Sequence, residues 1–148
     1  MDEPLDTRAR FESLGDDEMA DLLRTHQVGR IAWESHSGPA ILPVAYAWCE
    51  GLIAFRTADW GLLAELATPT DVAFQIDEFE VDTASGWAVM LRAVTKAVTK
   101  PEEVVCWQRL LPVPWAPGSR ELIIRLTPRS ASGRVVVRGP EKSAPGAD

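Results

Sequence analysis

The feature that most constrains this fold is a succession of short β-type segments joined by tight turns. Seven segments have this character: residues 28–34, 40–48, 52–57, 71–77, 86–99, 121–127 and 134–138. Regular alternation of strands and helices, which a doubly wound α/β sheet requires, is absent. The pattern therefore predicts a mainly β (α+β) fold, a small antiparallel barrel decorated by short helices.

Helical patterns occur at only three places. Residues 16–25 begin with an acidic turn and carry apolar residues at helical spacing, and residues 59–67 show a similar stripe after Asp59. The third pattern is a capping box from Thr99 to Glu102 with Pro101 in the first turn. We expect three short helices, placed around the barrel.

The chain length of 148 residues suits one domain. We expect an N-terminal arm over residues 1–15, the barrel domain over residues 16–138 and a disordered tail over residues 139–148. That tail is mostly Pro, Gly, Ala and charged residues, which cannot bury enough apolar surface to fold.

Charge and composition exclude several classes of function. The net charge of −7 and the lack of clustered Lys and Arg residues argue against a protein whose main function is to bind nucleic acid. No apolar run reaches the roughly 20 residues that span a bilayer, and the acidic N-terminus is unlike a secretory signal. The two cysteines, Cys49 and Cys106, have neither redox-pair nor metal-ligand spacing. We expect a cytoplasmic protein with reduced thiols.

Neither hydrolytic catalysis nor metal binding has a convincing pattern. His26 and His36 are the only histidines, and the Ser35-His36-Ser37 sequence sits in a predicted hairpin turn. The acidic residues between Asp77 and Asp82 lack the glycine and glutamate spacing of a calcium loop. We interpret both stretches as exposed polar loops and expect no metal.

The strand-to-helix junction at residues 55–66 has the pattern of a small anion site. Arg56 and Thr57 end a strand, and the helix opens near Gly61, so that a guanidinium, a hydroxyl and free amides could meet one phosphate. The alternative is that Arg56 lies on the surface and Gly61 only serves the turn. The pattern alone leaves both open.

Six stretches together resemble the pyridoxamine-5'-phosphate-oxidase-like family of flavin-binding split barrels, in particular its short actinobacterial-type members. They are residues 28–32, 42–46, 55–57, 72–77, 86–89 and 114–120. The resemblance implies a six-stranded antiparallel split barrel, with the seventh segment an extension. It also implies a homodimer that binds flavin mononucleotide (FMN) between its subunits.

The resemblance also implies which residues contact the cofactor. The backbone of Pro43, Val44 and Ala45 would pass beside the flavin ring, and Arg56, Thr57 and Gly61 would face the phosphate. The pocket would be completed by Trp87, Trp115 and Arg120, the last two from the partner subunit. Arg92 or Arg120 would stabilise the negative charge of the reduced ring. The implied activity is a flavin-dependent oxidoreductase acting on a small molecule.

One departure from the family pattern bears on this prediction. Similar proteins carry a Ser-Lys or Thr-Lys pair where this chain has Gly61-Leu62, so one charge-assisted phosphate contact is missing. Trp60 either stacks on a ligand or plugs the groove. Two alternatives therefore stay open: a deazaflavin-dependent reductase of the same fold, which the acidic chain disfavours, and a non-enzymatic dimer that has lost its cofactor and binds a small ligand or a protein.

Overall fold

The computed structural model describes residues 9–113, 118 and 121–138. Seven strands and two α-helices follow one another along the chain: β1 (Ala9–Ser13), α1 (Asp16–Thr25), β2 (Val28–Ser35), β3 (Gly38–Cys49), β4 (Leu52–Thr57), β5 (Asp71–Glu80), β6 (Ser85–Ala97), α2 (Pro101–Leu110) and β7 (Leu122–Arg138). A short 3₁₀ helix, Leu62–Ala67, lies between β4 and β5.

All strands pair antiparallel in the order β1-β7-β4-β3-β2-β5-β6, and an additional β6–β7 pairing closes the sheet into a ring. The predicted mainly β fold and antiparallel split barrel are confirmed. This closure pairs the edge of β6 with β7, an edge that an open sheet would leave exposed.

The strand inventory differs from the prediction in two ways. Residues 9–13, assigned to the N-terminal arm, form β1 and pair with the last five residues of β7. The segments 121–127 and 134–138 belong to one continuous strand, because the residues between them pair with β6. Pro128 has no N–H to donate, and a register shift at Arg92/Ala93 accommodates it, as bulges commonly do.

The barrel interior is filled by one face of each strand. Ile31, Phe55, Phe74 and Leu126 are fully buried there, and α1 adds Leu23. One face of β3 lines this core, with Tyr46 at its centre. Its hydroxyl donates to the Leu23 carbonyl oxygen at 2.7 Å, and burial raises its pKa, so that the hydroxyl stays neutral.

A second, smaller core lies outside the barrel, where α2 covers β3, β4 and β7. Trp107 and Leu111 pack there against Ala54 and Ile123. Proline does occupy the first turn of α2, but the expected capping box is wrong: the N-cap is Lys100, which makes no side-chain cap bond.

Glu103 ties α2 to the barrel. Its carboxylate accepts hydrogen bonds from Arg125 Nη1 at 2.7 Å and from Trp107 Nε1 at 3.2 Å. Burial alone would raise the pKa of Glu103, but these hydrogen bonds and the positive charges of Arg125 and Lys100 outweigh it and lower the pKa. Glu103 is thus held as a carboxylate against the sheet.

Candidate functional site

The barrel is split along one edge of β3. Strand β4 pairs with β3 only over residues 46–49, so that among the described strands none pairs with residues 38–45 on the side away from β2. The Tyr46 N–H points toward β2, where it donates to Gln27 at 2.9 Å. Because backbone direction alternates, the N–H and C=O of Ala45 and the C=O of Pro43 face the open edge.

Prolines suit this edge for a physical reason. The backbone nitrogens of Pro39 and Pro43 face the same side of β3 as that of Ala45, which is the unpaired side. Because these nitrogens carry no N–H, the pairing with β2 loses no hydrogen bond. The side chains of Pro43 and Ala45 face outward, whereas Val44 points into the core and is buried. The backbone groups of Val44 face β2, so Val44 offers neither its side chain nor its backbone to a ligand at the open edge.

The chain leaves β4 just beyond Phe55, the last residue of β4 that pairs with β3. Thr57 ends β4 and is buried, and Gly61 has a φ of 94°, which favours glycine. A Cβ added to Gly61 would meet nothing within 4 Å. The helix predicted for residues 59–67 is only the 3₁₀ helix, whose first bond runs from Ala64 N–H to the Gly61 carbonyl. Asp59 is therefore not its cap.

Glu65 fixes the 3₁₀ helix to the turn between β2 and β3. Its Oε1 accepts hydrogen bonds at 3.3 Å from Trp33 Nε1 and from the His36 backbone N–H, and Oε2 contacts His36 Nδ1. No local pattern predicts this contact, because the partners are about 30 residues apart. Glu65 therefore anchors the 3₁₀ helix at the β2–β3 turn, which is one end of the open edge of β3.

Arg56 and Thr57 do not converge as the sequence prediction required. Alternation along β4 puts Thr57 on the side of Phe55, inside the barrel, and Arg56 on the side of Ala54, beneath α2. Arg56 Nη2 donates to the Gln108 carbonyl oxygen at 3.2 Å, in the last turn of α2. Its Nε is buried and has no partner among the described residues.

Leu62 and Trp60 have opposite environments. Leu62, which replaces the lysine of similar proteins, is half-buried and packs against the main core. Trp60 is 73% exposed, so the described residues do not use its indole as a plug.

Trp87 lies at the other end of the barrel. It pairs with Val135 on β7, whereas Thr57 pairs with Leu122, and these partners are 13 residues apart. At a rise of about 3.3 Å per residue this is roughly 40 Å along the strand. Trp87 packs on the main core and makes an edge contact with His26, with ring centroids 4.9 Å apart. Along β7, Trp87 therefore lies far from Thr57.

The outer face of the barrel carries Arg92. Cross-strand pairing aligns Ile41, Ala32, Ala73, Arg92 and Ser130 in one row, and the small alanines leave a depression of about 360 Å³ beside Arg92. Arg92 is exposed, and among the described residues it has no ion-pair partner. Trp115 and Arg120 lie outside the described residues, although Leu122, which follows that segment, pairs with Thr57.

Within the described part of the chain, no three His, Cys, Asp or Glu side chains group as metal ligands. Asp77, in the predicted acidic loop, instead accepts hydrogen bonds from Arg30 at 2.8 Å and Gln75 at 2.9 Å on the sheet surface. None of the described helices has the length and apolar character needed to cross a bilayer.

Comparison with known proteins agrees with this architecture. Residues 15–135 match the family model described as pyridoxamine 5'-phosphate oxidase. A crystal structure from Corynebacterium glutamicum, provisionally named a pyridoxamine 5'-phosphate oxidase, is 28% identical, with a TM-score of 0.74 and coverage of 95% of this chain and 99% of that one.

Two mycobacterial relatives have similar identity. The FAD binding protein from Mycobacterium smegmatis is 28% identical, with a TM-score of 0.69 and coverage of 85% of this chain and 98% of that one. An uncharacterized protein from Mycobacterium tuberculosis is 27% identical over 129 residues, 82% of each chain. On the strength of the family match, which spans most of the barrel, this chain belongs to the pyridoxamine 5'-phosphate oxidase family.

Proposed function

We propose that this chain binds a flavin in the split between β3 and the segment 57–66, as a cytoplasmic homodimer, and acts as a flavin-dependent oxidoreductase on a small organic molecule. The observation that carries the proposal is the open edge of β3, whose backbone groups no described strand pairs, close in the chain to the free amides after Gly61. Family membership and the flavin-binding relative support it.

The residues along the split fit the two ends of a flavin. The ring needs hydrogen-bond donors and acceptors along its edge, and the backbone of Ala45 and Pro43 supplies both. The phosphate needs donors, and the Thr57 hydroxyl and the amides after Gly61 supply them, since the first bond of the 3₁₀ helix uses only the Ala64 N–H. The space beside Gly61 leaves room for an anion to approach.

The nearest cation along the chain is Arg56, which lies on the other face of β4, beneath α2. Its buried Nε–H lacks an acceptor among the described residues, which is costly unless a ligand or another group provides one. FMN, the cofactor implied by the family resemblance, would place its phosphate near this end of β4. A bound flavin supplies the electron transfer, and the protein contributes orientation and charge.

Two copies of the chain are part of the proposal. Trp87 and Thr57 lie at opposite ends of β7, so a groove lined by both needs Trp87 from a second subunit. Arg92, exposed on the outer face, would place positive charge near a cofactor held between two such faces. Such a charge favours the anionic reduced form of the ring.

One observation favours a second candidate function. Leu62 packs on the core where the family pattern has lysine, so this chain has lost a phosphate-binding charge. A non-enzymatic dimer that binds a small ligand or a protein through the same groove would tolerate that loss. A deazaflavin, with its acidic tail, fits this acidic chain less well.

Mixed dimers provide the test. We expect Thr57→Val and Trp87→Ala each to weaken flavin binding in the homodimer. When the two variants are co-expressed with different affinity tags, the purified mixed dimer should regain one intact site, with the affinity of the unaltered protein. A mixed dimer that binds no better than either variant would contradict a site shared between subunits, and an unaltered protein that binds no flavin would contradict the proposal itself.

A further inference from the structure

A small cavity lies outside the barrel, where the end of β6 meets the start of α2. Its volume of about 90 Å³ is roughly the space that three water molecules occupy in the liquid. Most of the side chains around it are charged or polar. The lining residues are Lys96, Ala97, Thr99, Lys100, Glu103 and Arg125. The cavity is therefore too small for a flavin ring, but it has room for a small oxyanion.

Positive charge dominates this cavity. Lys96 and Arg125 are directly opposite each other on β6 and β7, and like charges in such a pair repel. Lys100 adds a third cation at the start of α2. The Glu103 carboxylate binds Arg125 Nη1 at 2.7 Å and balances one of the three charges. Among the described residues neither lysine has an ion-pair partner, so two positive charges remain unbalanced in a chain of net charge −7.

Hydrogen-bond donors without acceptors accompany these charges. Arg125 Nε is buried and has no partner among the described residues, which is costly for a guanidinium N–H. The first bond of α2 runs from the Val104 N–H to the Lys100 carbonyl oxygen, so the N–H groups of Glu102 and Glu103 have no partner within the helix. An oxyanion bound beside the Arg125 side chain would provide acceptors for such donors.

We propose that this cavity binds a phosphate group through Lys96, Lys100 and Arg125. A phosphate group carries about −1.5 to −2 charges at neutral pH, which matches the two unbalanced cations. Its oxygens accept the charge-assisted hydrogen bonds that Arg and Lys side chains donate. The group belongs either to inorganic phosphate or to a small phosphorylated metabolite. In this position it would join β6, β7 and α2 and strengthen the docking of α2 on the barrel.

This site is separate from the proposed flavin groove. Arg125 faces outward, because its neighbours Ile124 and Leu126 point into the main core. Thr57, by contrast, is buried on the inner face of β4. The two proposals can therefore fail independently, and a substitution of Thr57 serves as a control for phosphate that binds in the flavin groove.

Calorimetric titration with phosphate tests this proposal. Inorganic phosphate and glycerol phosphate are each added to the protein at constant ionic strength, maintained with sodium chloride, and thermal unfolding is followed in the same solutions. The variants are Lys96→Gln, Lys100→Gln and the combination of both. Two controls accompany them: Arg24→Gln removes an exposed cation on α1, and Thr57→Val alters the flavin groove.

We expect saturable binding of one phosphate group per chain, and a higher melting temperature in phosphate than in chloride. Each single lysine variant should weaken binding by about threefold or more and the double variant by about tenfold or more, the effect of one or two partly exposed charge pairs. Both controls should bind like the unaltered protein. Whichever of the two compounds binds more tightly identifies the source of the phosphate group.

Glu103→Gln tests the proposal in the opposite direction. This substitution removes the negative charge that competes for Arg125, so phosphate should bind about threefold or more tightly than to the unaltered protein. The proposal is overturned if neither compound binds saturably, if the double lysine variant binds as well as the unaltered protein, or if Glu103→Gln binds phosphate less tightly. Loss of binding in Thr57→Val alone also overturns it and assigns the phosphate to the flavin groove.

Discussion

Restoring the missing cation is the most informative perturbation of the junction. In Leu62→Lys the side chain must keep its stem on the core and extend its ammonium toward the phosphate end of the groove, as lysines do at protein surfaces. Leu62 is half-buried, so the substitution gives up part of the roughly 1.5 to 3 kcal/mol of a fully buried leucine, about 1 kcal/mol of folding stability.

The gain in binding should exceed this cost. A charge-assisted hydrogen bond to phosphate contributes roughly 1.5 to 3 kcal/mol, which corresponds to an affinity increase of about 10- to 150-fold. Because the gain requires a phosphate, FMN should benefit fully, whereas riboflavin, which has the same ring and no phosphate, should bind as before.

Calorimetric titrations with FMN and riboflavin measure both effects, and thermal unfolding checks the stability cost. Leu62→Met is the matched control, because methionine has an unbranched apolar stem like that of lysine but carries no charge. The reasoning is refuted if Leu62→Lys leaves the ratio of FMN to riboflavin affinity unchanged, or if Leu62→Met raises that ratio equally.

Three further substitutions test other parts of the structure. Gly29→Ala should destabilise the fold by about 1 to 3 kcal/mol, because the added Cβ would lie 2.3 Å from Phe74 Cζ inside the barrel; an unchanged urea midpoint would contradict this packing. Glu103→Gln should cost up to about 1 kcal/mol at neutral pH through loss of the Arg125 ion pair. Folding lowers the pKa of Glu103, so this stabilisation is present above the unfolded pKa of about 4.3 and is lost as the pH falls through the folded pKa. The unfolding curves of the two proteins should therefore converge in acid. A constant difference in stability down to about pH 2 would contradict this role of the ion pair. Arg56→Ala should weaken flavin binding by about tenfold or more in a titration, and full affinity in that variant would remove Arg56 from the site.

Much of the fold follows from local pattern. The inward face of β3 and the meander β2-β3-β4 were predictable because alternating apolar residues and tight turns specify antiparallel neighbours. The continuity of β7 was not, since Pro128 and Gly133 indicate a turn in isolation and only pairing with β6 keeps them in a strand. β1 was not predicted, because its five residues form a strand only by hydrogen bonding with the C-terminal end of β7, which is distant in sequence.

The site was less predictable than the fold. The sequence pattern indicated the junction at residues 55–66 and the strand β3. The prediction that Arg56 and Thr57 meet at one phosphate ignored strand alternation, which turns their side chains to opposite faces of β4. The contact of Glu65 with Trp33 depends on how the barrel closes. The separation of Trp87 and Thr57 could not be predicted either, because it depends on the register in which β6 and β4 pair with β7.

The measurement that tests the central claim most directly is an equilibrium titration of the flavin-free protein with FAD and FMN, followed by the visible absorption of the ring. The account predicts saturable binding of one flavin per chain, with a shifted and structured flavin band, by a protein of twice the monomer mass of 16.3 kDa in light scattering. A flavin spectrum that stays that of the free cofactor at millimolar concentration, or saturable binding to a monomer, would contradict it.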